Sequence, residues 1–240
     1  MFDGQAAEFE RAKATSDGEA LARFVKFAAL PPGSRLIDGG CGPGLVAEAF
    51  LGAGCEVFGV DLSAEMVRRA RQRCARFGAR ARFEQRSIFQ VEGGGFDAAV
   101  SRYVLHHVED PHAFIRQQAA LVRPGGFVLA LDMSGDPDPA RHEWAQRIER
   151  ERDRTHMRAL TPGELVDAFA AAGLVNLELQ EDELDLDFDD WFDRGTPSAP
   201  KEEVRAHFLA GQSRGLAPRR RPDGGLDLHV RRAAIRGARP

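Results

Sequence analysis

Two aspartates and three glycines between residues 38 and 61 have the spacing of a nucleotide site. Asp38 is followed by Gly40, Gly42 and Gly44, and Asp61 comes further along the chain. Glycine lets backbone amides come close to a ligand at the start of a helix, where the helix dipole favours an anion such as a carboxylate. A carboxylate in the position of Asp61 is suited to accept hydrogen bonds from the hydroxyls of a ribose.

Apolar runs around these groups predict the elements that position them. One run ends at Asp38, a helix-forming segment covers residues 45–51, and a second run over residues 57–60 ends at Asp61. Strand, glycine loop, helix and parallel strand make up the βαβ unit of a nucleotide-binding sheet. A dinucleotide-binding loop would read G-x-G-x-x-G, and Leu45 stands where its third glycine would be. The spacing therefore disfavours a nicotinamide-dependent oxidoreductase.

The same patterns continue along the chain and predict an alternating α/β fold. Further strands are expected over residues 82–85, 96–101, 127–132, 174–179 and 226–235. Helices are expected over residues 21–28, 64–77, 111–121, 141–160 and 161–172. The acidic segment 181–193 is interpreted as a solvated face, and Arg219–Arg221 as a basic turn.

Length, charge and cysteine content narrow the class of protein. A chain of 240 residues is expected to form one domain. The net charge of −4 argues against a general nucleic-acid binder. The three cysteines lack metal-type spacing, which fits a reducing cytoplasm, and the seven histidines show no ligand spacing, so no metal site is expected. We expect no signal peptide, because the segment MFDGQAAEFERAK has no apolar core. We expect no membrane span, because no apolar run reaches about 18 residues.

Several segments in fixed order resemble one enzyme family. The pattern D-x-G-x-G-x-G is followed by FDAAVS, LHHVED and LVRPGG. Together they resemble the type-11 branch of the class I S-adenosylmethionine-dependent methyltransferases. The segments HMRALTPGELVDAFAAAGL and LDFDDWFDRGTP extend the likeness to a bacterial subgroup of small single-domain enzymes. The resemblance implies S-adenosyl-L-methionine as cofactor and S-adenosyl-L-homocysteine as product.

The resemblance also implies an architecture. It is a three-layer, Rossmann-like α/β fold with a seven-stranded sheet and a helical substrate cover. Residues 1–240 would form a single methyltransferase domain. Residues 30–133 would be its cofactor-binding half, residues 1–29 and 134–225 the substrate cover, and residues 226–236 the last strand. Within the cover, Phe2–Phe9 could close over the cofactor as a lid that excludes water.

Cofactor-binding residues follow from the same likeness. They are Asp38, Gly40, Cys41, Gly42, Gly44, Asp61, Leu62, Met66, Ser87, Ile88, Ser101 and Arg102. The glycine loop would face the methionine carboxylate, and the backbone near Ser101 and Arg102 would receive the methionyl amine. Ser87 stands where the family usually has an acidic residue that hydrogen-bonds the adenine amino group. A hydroxyl accepts such a bond more weakly than a carboxylate.

Two adjacent histidines are the candidates for proton transfer. Successive helical residues point about 100° apart, so only one of the pair is expected to face the pocket. We take His107 as the first candidate for a base or substrate-orienting group and His106 as the second, because histidine titrates in the useful pH range. Candidate substrate contacts are Tyr103, His156, Arg158 and Trp191. For all of these residues a structural role is the alternative.

The function expected from these features is methyl transfer to the oxygen, nitrogen or carbon atom of a small molecule. One alternative is an RNA or protein methyltransferase, which would need a basic docking surface that the sequence does not indicate beyond Arg219–Arg221. The other is a methyltransferase-like protein that binds the cofactor without transferring methyl, as a cyclisation catalyst or binding module. The expected partners are a small-molecule substrate and at most a second copy of the chain, with neither nucleic acid nor membrane.

Overall fold

A single mixed sheet forms the centre of the protein. The computed structural model describes residues 18–240, and this part of the chain contains eight strands. They are β1 Arg35–Gly39, β2 Glu56–Asp61, β3 Ala81–Gln85, β4 Phe96–Arg102, β5 Val122–Met133, β6 Val175–Asp187, β7 Leu216–Arg220 and β8 Leu226–Ala238. Seven of them follow the order β3-β2-β1-β4-β5-β8-β6, and β7 pairs with β8 alone. The first five are parallel, whereas β8 runs antiparallel to its neighbours.

Helices cover the sheet and its C-terminal extension. They are α1 Gly18–Ala28, α2 Leu45–Gly52, α3 Ala64–Cys74, α4 Pro111–Leu121, α5 Pro139–Arg152, α6 Pro162–Ala171, α7 Phe188–Asp193 and α8 Lys201–Leu209. Ser63 caps α3 by accepting a hydrogen bond from the Met66 amide at 3.1 Å. Thr161 and Glu164 form a reciprocal capping box at the start of α6. Both caps satisfy amides that a helix start leaves without partners.

Two apolar clusters on opposite faces of the sheet make the fold three-layered. Leu36 and Ile37 are neighbours in β1 and both fully buried, but they belong to different clusters. Side chains alternate between the faces of a strand, so a fully buried β1 needs helices on both sides. A third cluster lies where α5, α7 and α8 pack on the far ends of β6 and β8, around Phe188, Trp191 and Phe208. The expected Rossmann-like α/β sheet is confirmed, with β7 as an additional strand.

The acidic segment is interpreted from the sequence as a solvated face, and its carboxylates within residues 181–187 are partly exposed on β6. Arg219 belongs to β7, so the prediction of a basic turn there is wrong. Acidic side chains of β6 pair with arginines of β7 and β8, such as Arg231 of β8 with Glu183 at 2.6 Å and Arg219 of β7 with Asp185 at 2.5 Å. Cross-strand pairs of opposite charge stabilise a sheet. The charge pattern therefore reflects complementary strands.

Helix α5 is shorter than predicted. It ends at Arg152 instead of residue 160, because the side chain of Asp153 offers the backbone a competing partner. Asp153 Oδ1 accepts hydrogen bonds from the Thr155 amide at 2.9 Å and the Thr155 hydroxyl at 2.8 Å. The chain then turns toward β4, and the Met157 amide donates to the His106 carbonyl oxygen at 2.8 Å. Helix α3 likewise ends at Cys74, where a 3₁₀ segment follows instead of the predicted helix to residue 77.

Two further expectations concern the ends and the surface of the molecule. The proposed lid, Phe2–Phe9, lies outside the residues that the structure describes. Within residues 18–240, no helix has both the length and the apolar character that crossing a membrane requires.

Candidate active site

A cavity of about 340 Å³ opens at the carboxyl ends of β1, β2 and β4. Asp38, Asp61 and Arg102 come from these three strand ends. In the sheet, β2 and β3 lie on one side of β1, and β4 and β5 lie on the other side. The strand order therefore reverses between β1 and β4. Ligands of open α/β sheets bind at this switch point, and small-molecule sites have volumes of about 300–1,000 Å³.

The glycine loop is held by the end of β2. The amides of Gly40 and Cys41 both donate to the Val60 carbonyl oxygen, at 2.9 and 3.0 Å. The Gly42 amide donates to Asp61 Oδ2 at 2.9 Å. Gly40 has φ of 73°, and a Cβ there would lie 2.7 Å from a methyl group of Val104. Glycine is therefore required both for the turn and for the close approach of Val104, which follows β4.

The amides that remain for an anion are those at the start of α2. The helix has no side-chain cap at Gly44, and Leu45 and Val46 in its first turn line the cavity. The first amides of a helix lack intrahelical partners and attract negative charge. Gly44 itself does not line the cavity. A Cβ there would lie 2.9 Å from the Cα of Ala70, so this glycine allows α2 and α3 to pack closely.

Asp38 is a buried carboxyl group on the cavity wall. Its side chain is 1% exposed, and Oδ2 has no hydrogen-bond partner among residues 18–240. Burial, and secondarily the nearby Asp61 carboxylate, raise the pKa of Asp38 to about 8, although Arg102 opposes this. A carboxyl group of this kind is protonated at neutral pH and would ionise beside a bound cation.

The predicted adenine side of the cavity is apolar. Leu62, Met66 and Ile88 line it together with Phe89, and Leu62 is 70% exposed at its rim. Ser87 also lines the cavity, but its hydroxyl accepts a hydrogen bond from the Phe89 amide at 3.3 Å and caps the 3₁₀ turn Ile88–Gln90. Unlike a carboxylate, the hydroxyl has only one further lone pair to offer a ligand.

His106 and Asp132 form a buried pair beside the cavity. His106 belongs to the 3₁₀ turn Leu105–His107, and its Nδ1 lies 2.5 Å from Oδ1 of Asp132 near the end of β5. Burial opposes protonation, but the charge of Asp132 and its hydrogen bond outweigh burial and raise the pKa of His106. This pair is therefore the place where a proton is best stabilised.

His107 lines the cavity itself. Its Nδ1 donates to the Thr155 carbonyl oxygen at 2.9 Å, so Nε2 is the accepting nitrogen of the neutral ring. Burial and then the charge on His106, whose ring centroid is 4.0 Å away, lower the pKa of His107 to about 3. Protonation is therefore favoured at His106 and disfavoured at His107.

Tyr103 separates the main cavity from a second one. It has φ of 59°, a conformation that costs a bulky residue about 1–3 kcal/mol. The Tyr103 amide donates to the Leu131 carbonyl oxygen at 2.9 Å, and its hydroxyl accepts from Arg232 Nη1 at 2.8 Å. The second cavity has a volume of about 70 Å³, and both Tyr103 and His107 line it as well.

The predicted site residues divide between these cavities. Every predicted cofactor-binding residue lines the main cavity except Gly44 and Ser101, which is buried within β4. Trp191 and His106 line the second cavity. The described residues contain no group of three or more potential metal ligands.

The two remaining substrate candidates line neither cavity. His156 is buried with Nε2 2.7 Å from Gln146 Oε1, and burial lowers its pKa to about 2. Arg158 pairs with Glu164 at the surface. Both were predicted on a helix over the pocket, and both lie instead in the loop that follows α5.

Sequence reasoning missed several residues around the second cavity. Arg152, Arg194 and Arg232 line it, and Asp132 supports His106. Asp132 could have been found, because it ends an apolar run as Asp38 and Asp61 do. The arginines carry no such signal.

Comparison with known proteins identifies the family. A family model described as "Methyltransferase domain" matches residues 11–179. The uncharacterized methyltransferase YcgJ of Bacillus subtilis is 29% identical over 211 residues, which cover 86% of this chain and 83% of YcgJ. The ubiquinone biosynthesis O-methyltransferase of Xanthomonas oryzae is 30% identical over 71% of this chain and 73% of its own length. The corresponding enzyme of Xanthomonas axonopodis is 33% identical, but only 49% of its length is matched.

A solved structure agrees with the sequence matches. The crystal structure of YcgJ covers 92% of this chain and 98% of its own, with a TM-score of 0.83 and 26% sequence identity. The chain belongs to the class I S-adenosylmethionine-dependent methyltransferases.

Proposed function

We propose that this enzyme transfers a methyl group from S-adenosyl-L-methionine to an oxygen, nitrogen or carbon atom of a small molecule bound in the second cavity. The observation that carries the proposal is the position of Tyr103 and His107. They line both the main cavity and the smaller one beside it, so a ligand in each would meet at these two side chains.

The main cavity has groups that match the cofactor. The unpartnered oxygen of Asp38 suits the methionyl ammonium group, and the uncapped start of α2 suits the methionyl carboxylate. Asp61 lines the cavity at the end of β2, where a ribose diol would meet its carboxylate. Leu62 and Met66 offer apolar surface for the adenine ring.

Two histidines would direct the acceptor. Bound S-adenosylmethionine supplies an electrophilic methyl group: the acceptor's lone pair forms the new bond, the electrons of the broken C–S bond stay on sulfur, and any acceptor proton leaves to the protein. His107, with its low pKa, would accept a hydrogen bond from the acceptor and orient it. The His106–Asp132 pair, with its raised pKa, would hold the released proton. Closeness and alignment in a water-poor pocket supply the rest of the rate enhancement.

The division of the chain follows from this arrangement. We propose a single domain in which residues 30–133 bind the cofactor and residues 134–225 cover the acceptor. In support, the main cavity is lined by residues between Asp38 and Phe114, while Arg152 of α5, Trp191 of α7 and Arg194 just after α7 reach the second cavity. A small acceptor is favoured because the second cavity has a volume of only about 70 Å³.

Product formation tests the proposal. The purified enzyme would be incubated with S-adenosylmethionine and a panel of small phenols, amines and carboxylic acids, with S-adenosylhomocysteine measured by mass spectrometry. We expect acceptor-dependent S-adenosylhomocysteine from the native enzyme and none from Asp61→Ala. Tight cofactor binding without product from any acceptor class would favour a protein that binds the cofactor without transferring methyl.

A further inference from the structure

The second cavity has an unusual electrostatic character. Three arginines, Arg152, Arg194 and Arg232, line it, and no carboxylate among residues 18–240 does. Its other walls include Trp191 and Leu186, which are buried and apolar. A pocket with cationic and apolar walls suits an organic anion.

The charge of two of these arginines is already compensated. Arg232 is 2% exposed, and its Nε donates to Asp182 Oδ1 at 2.7 Å while a second nitrogen pairs with the other oxygen of the same carboxylate. Arg152 lies 3.4 Å from Asp153 Oδ2 through Nη1, and its Nε donates to the Trp191 carbonyl oxygen at 2.9 Å. These two guanidinium groups need no ligand to balance them.

Arg194 is different. Its Nε donates to the Asp190 carbonyl oxygen at 2.9 Å, but within residues 18–240 it forms no ion pair with a carboxylate. Burial and then the charge of Arg152 lower its pKa to about 10, and the nearby carboxyl groups of Asp190 and Glu149 offset this only in part. Half-buried charge of this kind is stabilised when an anion binds.

We propose that the methyl acceptor is a small apolar acid whose single carboxylate is bound by Arg194, with Arg152 beside it. This rests on the proposed function. A single guanidinium without an ion-pair partner among residues 18–240 favours a monoanion over a phosphate dianion. A cavity of about 70 Å³ is smaller than the roughly 150 Å³ that holds a benzene ring, so it would hold the carboxylate and the atoms next to it, and the rest of the acceptor would extend to the adjoining main cavity.

The position of the carboxylate would determine which atom reacts. With the acid group held at Arg194, the remainder of the acceptor extends toward Tyr103 and His107, where the two cavities adjoin. The methylated atom is then a hydroxyl or amine distant from the carboxylate, and the acid group stays charged. The enzyme should therefore not form methyl esters.

Calorimetry with matched pairs of probes tests this inference. Benzoate, 4-hydroxybenzoate and 3,4-dihydroxybenzoate would be titrated against their methyl esters, with and without saturating S-adenosylhomocysteine. We expect at least one acid to bind about 10- to 100-fold more tightly than its ester, the range for a hydrogen bond to a charged group. Phenyl phosphate should bind no more tightly than benzoate.

Variants assign the preference to Arg194. Arg194→Gln should abolish it, and Arg194→Lys should restore part of it. Arg205→Gln is the matched control, because Arg205 is also half-buried in the cover but pairs with Asp189 at 2.8 Å and lines neither cavity. Unchanged S-adenosylhomocysteine affinity and unfolding temperature would show that Arg194→Gln still folds.

Each outcome distinguishes the two proposals. Esters that bind as tightly as the acids, binding by none of the acids, tighter binding of phenyl phosphate, or a preference that persists in Arg194→Gln would overturn the inference. Failure to bind S-adenosylhomocysteine would refute the proposed function instead, and the titrations without it would still show whether Arg194 selects acids.

Discussion

The titration of Asp38 should couple cofactor binding to pH. In the cofactor-free protein the pKa of Asp38 is about 8, because the carboxyl group is buried and lies near Asp61. The methionyl ammonium would be bound by the ionised form only. Below pH 7 the ligand's own amino group stays charged, since α-amino groups titrate at about 7.7–8.0. Ionisation of Asp38 therefore dominates the pH dependence in this range.

The size of the effect follows from the pKa. With a pKa of about 8, roughly one hundredth of Asp38 is ionised at pH 6 and roughly one tenth at pH 7. The affinity for S-adenosylhomocysteine should thus rise about tenfold between these pH values. Binding at pH 7 should release about 0.9 proton per ligand.

Calorimetry in two buffers with different enthalpies of ionisation measures both quantities. Asp38→Asn keeps the shape of the side chain but cannot ionise. This variant should bind more weakly at pH 7, show a nearly flat affinity between pH 6 and pH 7, and release almost no proton. A native enzyme with flat affinity and less than about 0.2 proton released would refute the electrostatic description of Asp38.

The same residue should limit the stability of the cofactor-free protein. Because folding raises the pKa of Asp38 from 3.8 to about 8, its stabilising contribution is complete below pH 3.8 and is lost as the pH rises toward 8. At pH 7 the stability lost in this way amounts to roughly 4 kcal/mol. Asp38→Asn removes this loss, but burying the amide of Asn offsets part of the gain. Asp38→Asn should therefore raise the free energy of unfolding at pH 8 by at least about 1 kcal/mol, as measured by urea denaturation.

Three further predictions concern other parts of the site and fold. Asp61→Ala removes the acceptor of the Gly42 amide and the expected ribose contact, so cofactor affinity should fall at least about 100-fold, and unchanged affinity by calorimetry would exclude that contact. Asp132→Asn should lower the pKa of His106, so the pH at which kcat/KM rises should fall by at least about one pH unit. An unchanged pH profile would show that His106 does not accept the proton released by the acceptor. Thr161→Ala should reduce the free energy of unfolding by about 1 kcal/mol and Thr161→Ser by much less, with cofactor affinity unchanged in both.

Local sequence signals were sufficient for the first βαβ unit. The glycines after Asp38 and the apolar run ending at Asp61 predicted a βαβ unit, and β1, α2 and β2 form it. These signals are local, because a turn, a cap or a buried strand imposes its requirements on neighbouring residues. The family, the sheet and the location of the main cavity could be predicted for this reason.

The second cavity depends on contacts between distant segments. Arg194 follows a short helix, Arg152 ends another, and Arg232 lies within β8, yet the three meet at one cavity. The ion pairs of the acidic β6 could not be predicted for the same reason, because the arginines that pair with its carboxylates lie on β7 and β8. Only the folded chain shows which charges compensate each other and which remain available.

Binding of the cofactor is the central claim, and one titration tests it most directly. S-adenosylmethionine, S-adenosylhomocysteine and NAD would be titrated side by side into the native enzyme at pH 7.5, with Asp61→Ala as the control. We predict micromolar affinity for both sulfur nucleotides, severe weakening in the variant and no binding of NAD. Absence of binding by the sulfur nucleotides, or binding of NAD with comparable affinity, would contradict the assignment of the main cavity.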